Sequence, residues 1–452
     1  MSHKHNSFLM VALLAAISFF GVTAEAATGN VIFTVDTDSA VLAPGEEASV
    51  IVRALVKPGE RIDRKRVPLA VALVIDKSGS MASDRKMENA KLGAIEALHV
   101  LGKEDIATVV VYDSGASVLV KARSTSSVGA FEKAISPLRP SGTTALYDGV
   151  QLAAKELRPY VKKGYAPRII LLSDGQANVG PSSARELARF GRQLSGEEMT
   201  ITTIGLGLDY NEDLMTALAA ESGGNSYFAK DAEMLPEIFV RDMDDAVTLT
   251  ARRVRITLEC DGVVSPVRIL GRDGDVSGRK ASAMIDNLYG SEKYALFEVK
   301  VPAQKNTGAL SAGVVKLEYV DPDSGRTLVE KLPLKLTLSR NEKEIARGKN
   351  SSVLTQAEIA KNAEIREEVI RLADQGRTAE ASQVLRERKI ELQSIAPSVG
   401  AAAPVMEAEA VYFDSLADSI ETSGTMSNEA RKESMNKAYI QKTQQNESKD
   451  QD

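Results

Sequence analysis

An unbroken apolar run at residues 69–75, rich in valine and isoleucine, is typical of a central strand that is buried on both faces of a parallel sheet. The run stops at Asp76, and a loop containing Ser78 and Ser80 follows it. Residues 87–101 then carry apolar side chains three or four positions apart, which predicts an amphipathic helix. The loop therefore lies where a strand ends and a helix begins, which is where open α/β sheets bind ligands.

Strand and helix patterns continue to alternate beyond this loop. Buried-strand patterns occur at 106–112, 168–172, 200–206 and 226–228, an edge-strand pattern at 117–120, and helical patterns at 145–157, 182–194 and 213–220. This succession predicts a doubly wound α/β sheet.

The period of the pattern changes to two after residue 253. Alternating apolar positions, separated by turns rich in glycine and aspartate, occur at 254–258, 297–301, 315–319 and 332–338. Such a pattern is typical of an antiparallel β-sandwich. Residues 31–35 and 50–56 alternate in the same way but have no partner strands nearby in sequence. We therefore expect these N-terminal strands to complete the later sandwich, with the α/β domain inserted between them.

Helical periodicity returns near the C-terminus. Residues 350–396, with a break at Gly376, predict a helical hairpin packed on the sandwich. Alanine-rich and then glutamine-, asparagine-, lysine- and serine-rich sequence predicts a flexible, partly helical tail at residues 397–452.

The predicted fold class is α/β: a doubly wound, Rossmann-like sheet inserted in or flanked by an antiparallel β-sandwich, plus a C-terminal helical hairpin. The predicted segments, in chain order, are a signal peptide (1–26), N-terminal strands of the sandwich (27–65), the α/β domain (66–248), the rest of the sandwich (249–340), the helical hairpin (350–396) and the tail (397–452).

The N-terminal residues have the features of a secretory signal peptide. Lys4 gives a positive start, residues 8–20 form an apolar run, and the Ala-Glu-Ala sequence at 24–26 fits a small-x-small cleavage site. A membrane anchor is the alternative, but a span needs about 20 apolar residues. We expect cleavage after Ala26 and a periplasmic or secreted mature chain without a membrane span.

Composition narrows the classes of function. The 452 residues carry a net charge of −6, so the chain lacks the basic excess that general nucleic-acid binding requires. Cys260 is the only cysteine, which excludes an intramolecular disulfide and cysteine-rich zinc sites. His99 is the only histidine outside the predicted signal peptide, so a Ser-His-Asp triad would depend on it.

The loops at the strand ends offer oxygen ligands. Asp76, Ser78 and Ser80 provide a carboxylate and two hydroxyls, which are hard donors that suit Mg²⁺, Mn²⁺ or Ca²⁺ rather than zinc or copper. Three side chains do not complete the octahedral shell of Mg²⁺. Thr144, in a loop that enters a predicted helix, and Asp174, which follows the strand pattern ending at 172, can supply further oxygens.

Five residues resemble, in their order, the metal-ion-dependent adhesion site of the von Willebrand factor A family: Asp76, Ser78, Ser80, Thr144 and Asp174. The resemblance covers residues 66–247 and implies a six-stranded sheet with one antiparallel edge strand and helices on both faces. It also implies that these residues bind Mg²⁺, or else Mn²⁺ or Ca²⁺. The chain is similar as well to exported bacterial proteins with one such domain, some of which are labelled relatives of calcium-activated chloride channels.

The family's mode of adhesion implies that the metal captures an acidic residue of a protein partner. We expect an exported adhesion or scaffold protein and no enzyme, because no general base is identifiable near the three loops. Lys77 is expected either to attract the partner's acid or to point into solvent. The alternatives are a metal-assisted hydrolase or enzyme subunit, and a scaffold with a purely structural metal.

Overall fold

The first described strands belong to a β-sandwich. The structure is a computed structural model that describes residues 22–28, 31–59, 67–246 and 248–445. In the described residues, four strands precede the α/β domain: β1 (Val22–Thr28), β2 (Val31–Thr37), β3 (Val41–Leu42) and β4 (Ala48–Pro58). The first 21 residues of the predicted signal peptide lie outside the described residues, and the predicted cleavage after Ala26 falls within β1. Because β1 is an edge strand paired with β2, cleavage there would leave β2 at the edge of the sheet.

The α/β domain follows with alternating strands and helices. Its elements are β5 (Leu69–Asp76), α1 (Lys86–Val100), β6 (Ile106–Tyr112), β7 (Ala116–Ser124), α2 (Gly129–Ile135), α3 (Leu146–Val161), β8 (Ala166–Ser173), α4 (Ala184–Gly196), β9 (Thr200–Leu206), α5 (Glu212–Ser222), β10 (Ser226–Ala229) and α6 (Leu235–Ala246).

The sheet of this domain places β5 at its centre. The strand order is β10-β9-β8-β5-β6-β7, in which β5 is parallel to both of its neighbours and β7 is the antiparallel edge strand. All eight residues of β5 are buried, as the apolar run predicted. The chain leaves β5 for β6 on one side and later returns to β8 on the other side. The carboxyl end of β5 is therefore the switch point at which such sheets bind ligands.

Alternate residues of β5 contribute to two separate cores. Leu73 and Ile75 pack with residues of α1 and α6 on one face of the sheet, whereas Ala72 and Val74 pack with residues of α3, α4 and α5 on the other. Helices on both faces explain why the strand sequence is continuously apolar and does not alternate. The prediction of a doubly wound sheet is confirmed.

The sandwich is completed by strands after the α/β domain. These are β11 (Ala251–Cys260), β12 (Ser265–Leu270), β13 (Gly274–Ser277), β14 (Lys280–Leu288), β15 (Lys293–Val301), β16 (Gly308–Val320) and β17 (Thr327–Leu338). The two sheets have the orders β1-β2-β4-β15-β12 and β13-β14-β11-β16-β17-β3. β4 pairs antiparallel with β15, from Ala48 opposite Val301 to Val56 opposite Lys293. The prediction that the α/β domain is inserted in the sandwich is thus confirmed.

Five α-helices follow the sandwich in the part of the chain that the structure describes. They are α7 (Glu342–Arg347), α8 (Ser351–Asp374), α9 (Thr378–Ile395), α10 (Ala403–Ser423) and α11 (Asn428–Thr443). α8 and α9 form the predicted hairpin, and α8 packs Val353 and Ala357 against Ile51 and Leu296 of the first sandwich sheet. Within the described residues, no helix combines the length and the apolar character needed to span a membrane.

The tail predicted as flexible and partly helical from residue 397 consists mainly of two helices in its described part, and the expectation of flexibility is wrong there because both helices are packed. α10 buries Met406 and Phe413 in a core shared with α8 and α9. α11 is mostly polar, yet it docks on the α/β domain: Lys432 donates to the carbonyl of Tyr210 over 2.7 Å, and the Tyr439 hydroxyl donates to that of Gly224 over 2.6 Å. Polar composition predicted disorder because it does not reveal partners that lie far away in the chain.

Candidate metal centre

Three loops meet at the carboxyl-end edge of the parallel sheet. β5 ends at Asp76, β8 ends at Ser173, and Thr144 lies just before α3. The Gly79 N–H donates to the carbonyl of Gly142 over 3.1 Å, which ties the first loop to the loop that carries Thr144. The strand ends and this bond bring the candidate ligands into one place.

Hydroxyl and carboxylate oxygens contact one another at this place. The Ser80 hydroxyl donates to Oδ1 of Asp174 over 2.6 Å and lies 3.1 Å from the Ser78 hydroxyl oxygen. A Cβ atom added to Gly175 would lie 3.7 Å from both Ser80 Oγ and Thr144 Oγ1. Ser80 and Thr144 therefore border the same small space beside Gly175, and Ser78 and Asp174 both contact Ser80.

Asp76 is held rigidly at the base of the site. It is fully buried, and its Oδ1 accepts the Ser78 N–H over 2.8 Å while its Oδ2 accepts the Ser173 hydroxyl over 3.1 Å. Burial raises the pKa of Asp76 to about 6, and the nearby Asp174 carboxylate acts in the same direction, whereas the bonds from Ser78 and Ser173 oppose it. The fold thus holds two carboxylates near each other, an arrangement that a cation would stabilise.

The donor set fits a hard divalent cation. It contains two carboxylates and three hydroxyls, with no nitrogen or sulfur donor, which is the chemistry of Mg²⁺, Mn²⁺ or Ca²⁺ sites. No group of three or more histidine, cysteine, aspartate or glutamate side chains in the described residues is arranged to hold a metal. A cation here would therefore depend on the serine and threonine hydroxyls. Ser80 is exposed, so the site opens to solvent on its side.

Sequence reasoning missed a buried lysine at the site. Lys86, the first residue of α1, donates from Nζ to Oδ2 of Asp174 over 2.9 Å. Lys77 instead turns to the Asp113 carboxylate and lies 3.1 Å from the Ser141 hydroxyl. Burial acts to raise the pKa of Asp113, but the hydrogen bonds from Lys77 and Ser141 outweigh burial and hold that pKa below its usual range. The lysine next to the candidate ligands is thus Lys86. The Lys77 ammonium is paired with Asp113 instead, so it neither lies free in solvent nor faces the candidate ligands.

A weak signal for Lys86 was present in the sequence. A lysine in the first turn of a helix is disfavoured by the helix dipole, so its presence there invites a specific explanation. Ser173 gave no such signal, because a hydroxyl at the end of a buried strand is common. Its contact with Asp76 depends on the pairing of β5 with β8, which only the structure shows.

His99 lies at the other end of α1. Its Nε2 is 3.0 Å from Oε1 of Glu132, and both side chains are largely exposed. It belongs to the last turn of the helix, where a histidine favours the negative end of the dipole. The one histidine of the described residues therefore takes no part in the candidate metal centre.

Comparison with known proteins gives a family match over this region. Residues 71–176 match the family model described as the von Willebrand factor type A domain, and this span contains all five candidate ligands. An uncharacterized protein of Synechocystis sp. is 24% identical over 348 residues, which cover 71% of this chain and 75% of that protein. Calcium-activated chloride channel regulator 3A-1 of Mus musculus is 30% identical over 183 residues, which cover 39% of this chain and 19% of the regulator. The similarity to the regulator is therefore confined to a part of each protein.

A solved structure shares the fold over almost the whole chain. The von Willebrand factor type A protein from Catenulispora acidiphila matches with a TM-score of 0.64 at 16% identity, and the match covers 95% of this chain and 98% of that one. The shared architecture therefore includes the sandwich and the C-terminal helices as well as the parallel sheet.

Proposed function

The chain contains a von Willebrand factor type A domain, and we propose that this domain makes it an exported, metal-dependent adhesion or scaffold protein. A divalent cation, for which Mg²⁺ is our first choice, would be held by Asp76, Ser78, Ser80, Thr144 and Asp174. It would capture a glutamate or aspartate of a protein partner.

One observation carries this proposal: the site combines a buried, all-oxygen donor set with an opening to solvent. Asp76 and Asp174 are completely buried, whereas Ser80 is exposed. Two carboxylates match the charge of a divalent cation, and hydroxyls add no further negative charge. A Mg²⁺ shell normally keeps replaceable waters, so a partner carboxylate could exchange for one of them. The metal supplies Lewis acidity, and the chain supplies the orientation of the ligands.

The environment of the site supports binding rather than catalysis. Two nearby groups that could move a proton already have partners: Asp113 is bonded to Lys77 and Ser141, and Lys86 is bonded to Asp174. A general base must reach the proton that it removes, and these groups are held in other contacts. We therefore propose that the protein is not an enzyme.

Affinity capture tests the proposal. The mature protein would be immobilised and exposed to envelope extract with Mg²⁺, with EDTA, and with EDTA followed by excess Mg²⁺. We expect EDTA to abolish capture and Mg²⁺ to restore it. Thr144→Ala should weaken capture roughly tenfold or more, because it removes a proposed ligand. Thr143→Ala is the matched control, since the Thr143 hydroxyl bonds to Ser114 and not to the site.

The captured partner supplies the decisive measurement. Each exposed Glu or Asp of that partner would be changed to Gln or Asn, and one such change should remove the Mg²⁺-dependent part of binding. If every acid can be neutralised without effect, or if capture survives EDTA unchanged, the metal does not bridge the complex. A structural metal would then replace the present proposal.

A further inference from the structure

Lys86 is buried against a proposed metal ligand. Its ammonium lies 2.9 Å from Oδ2 of Asp174, and the two side chains are 11% and 0% exposed. Gly207, with φ +72°, is also close, since a Cβ added to it would lie 3.9 Å from Nζ of Lys86. The lysine is therefore enclosed beside the site rather than extended into solvent, the usual position of lysine.

The backbone before Lys86 is unusual. Asp84 and Arg85 have φ values of 52° and 55°, so two successive residues other than glycine adopt the left-handed conformation. This conformation costs free energy for residues with a Cβ and persists where the surrounding structure requires it. The turn delivers Lys86 at the first position of α1, where the helix dipole opposes a positive charge. Both features are unfavourable locally, which points to a role for the ammonium at the site.

Lys86 shares the site with the two carboxylates of Asp76 and Asp174. The oxygens of Asp174 accept from the Ser80 hydroxyl and from Lys86, and those of Asp76 accept from the Ser78 N–H and the Ser173 hydroxyl. Lys86 thus adds a positive charge to a pair of carboxylates. A divalent cation bound by two carboxylates alone would give the site no net charge. With the Lys86 ammonium beside them, the loaded site would carry a net positive charge.

We propose that Lys86 is a positioning residue that sets the charge of the metal site. It fixes one oxygen of Asp174, lowers the affinity of the site for a divalent cation, and raises the affinity of the loaded site for a carboxylate. This inference rests on the proposed function, since it concerns the same metal and the same acidic ligand class.

Metal binding by the full mature chain tests the first part. Mn²⁺ alone would be titrated into wild type, Lys86→Met, Lys86→Arg and Lys77→Met, with heat release and the Mn²⁺ spin-resonance signal as readouts. We expect Lys86→Met to bind Mn²⁺ roughly tenfold or more tightly, because a like charge close to the metal is removed. Lys77→Met is the matched control, since that ammonium pairs with Asp113, and it should resemble wild type. Lys86→Arg retains the charge and should resemble wild type.

Carboxylate binding tests the second part. Mn²⁺-saturated protein would be titrated with acetate, and water-proton relaxation would report the loss of exchangeable water. Acetate should bind Lys86→Met roughly tenfold more weakly than wild type, while Lys77→Met should be unchanged. Far-ultraviolet circular dichroism of each variant would show that Lys86→Met, which replaces a long side chain by one of similar length, retains the fold.

The outcomes separate this inference from the proposed function. If wild type binds Mn²⁺ through Asp76 but Lys86→Met binds it equally or more weakly, the role of Lys86 is wrong and the metal site stands. Tighter Mn²⁺ binding with unchanged acetate binding overturns the carboxylate part alone. If neither protein binds Mn²⁺, both the metal site and the role of Lys86 are refuted.

Discussion

At the scale of residues, the site is governed by how Asp76 is buried. A carboxylate in a fully buried position loses its hydration, which destabilises its charged form. The hydrogen bonds from Ser78 and Ser173 recover part of that cost and leave the carboxylate in one orientation. A preoriented ligand lowers the entropy lost on metal binding, so the rigidity of Asp76 favours a metal role.

Substitution of Asp76 should remove the metal site. We expect isothermal titration of Asp76→Ala with Mg²⁺ or Mn²⁺ to show no binding at this site, because one of only two negative charges is lost. Asp148→Ala is the matched control. Asp148 is an exposed acid in the first turn of α3, near Thr144 in sequence, and should not contribute. Wild-type affinity in Asp76→Ala would refute the assignment.

Ser173 should act through Asp76. Ser173→Ala deletes the hydroxyl that bonds Oδ2 of Asp76, so the carboxylate loses part of its orientation. Removing such outer-shell partners typically weakens metal binding about tenfold or more. Titration of Mn²⁺ into the variant measures this, and an unchanged dissociation constant would show that the hydroxyl serves only stability. Ser83→Ala provides the comparison, at an exposed serine of the loop between β5 and α1 that donates to the carbonyl of Ser80.

At the scale of elements, α11 joins the C-terminal helices to the α/β domain through charges. Arg431 bonds Glu212 and Asp213 at the start of α5, and it also bonds Asp374 at the end of α8. Lys432 pairs with Glu212 and is almost completely buried. A negative cluster in the first turn of α5 is favoured by the helix dipole, and the two cations of α11 complement it.

Removal of the buried cation should weaken this docking. Lys432→Met leaves Glu212 with Arg431 alone and leaves the Tyr210 carbonyl without its donor, so we expect a loss of about 1.5–3 kcal/mol in the free energy of unfolding. Urea denaturation followed by circular dichroism measures that loss. Lys230→Met removes an ion pair between the residue after β10 and Glu429 of α11, but both side chains of that pair are largely exposed. It should therefore have no measurable effect, and equal losses in the two variants would contradict the assignment.

At the scale of the whole molecule, the N-terminal strands close the sandwich around the inserted domain. Phe33 of β2 and Phe297 of β15 lie in one hydrophobic core although the α/β domain separates them in sequence. β4 also covers the edge of β15 along its length. Strands 251–338 therefore cannot bury their apolar face without the first part of the chain.

Whether a fragment of the chain folds cooperatively should depend on whether it contains all the strands of its own sheets. A fragment of residues 66–248 should fold alone and keep its metal affinity, because its sheet and both of its cores are self-contained. A fragment starting at residue 249, which keeps β11 whole, should lack a cooperative urea transition, since β15 would present an unpaired edge. Addition of residues 27–59 as a separate peptide should restore the transition. Cooperative unfolding of the shorter fragment with full strand content would contradict the inserted arrangement.

The sequence by itself determined the features that local patterns encode. The run at 69–75 predicted the central strand because burial on both faces requires continuous apolar residues. The period of two after residue 253 predicted sandwich strands, since successive side chains of a strand point to opposite faces. The types of oxygen donor in the loops, together with the family resemblance, sufficed to name Asp76 and its four companions, and their metal binding stays a prediction.

Only the tertiary structure decided which distant groups face each other. The contacts of Lys86 with Asp174, of Ser173 with Asp76, and of Lys432 with Glu212 join side chains far apart in sequence. Apart from the place of Lys86 in the first turn of a helix, the local pattern does not distinguish such a lysine from a solvated one, because its partner becomes a neighbour only when strands and helices pack. For the same reason the polar sequence of α11 predicted a flexible tail. Hydrophobic periodicity is a local property of the chain, whereas charge pairing depends on the packed arrangement of elements.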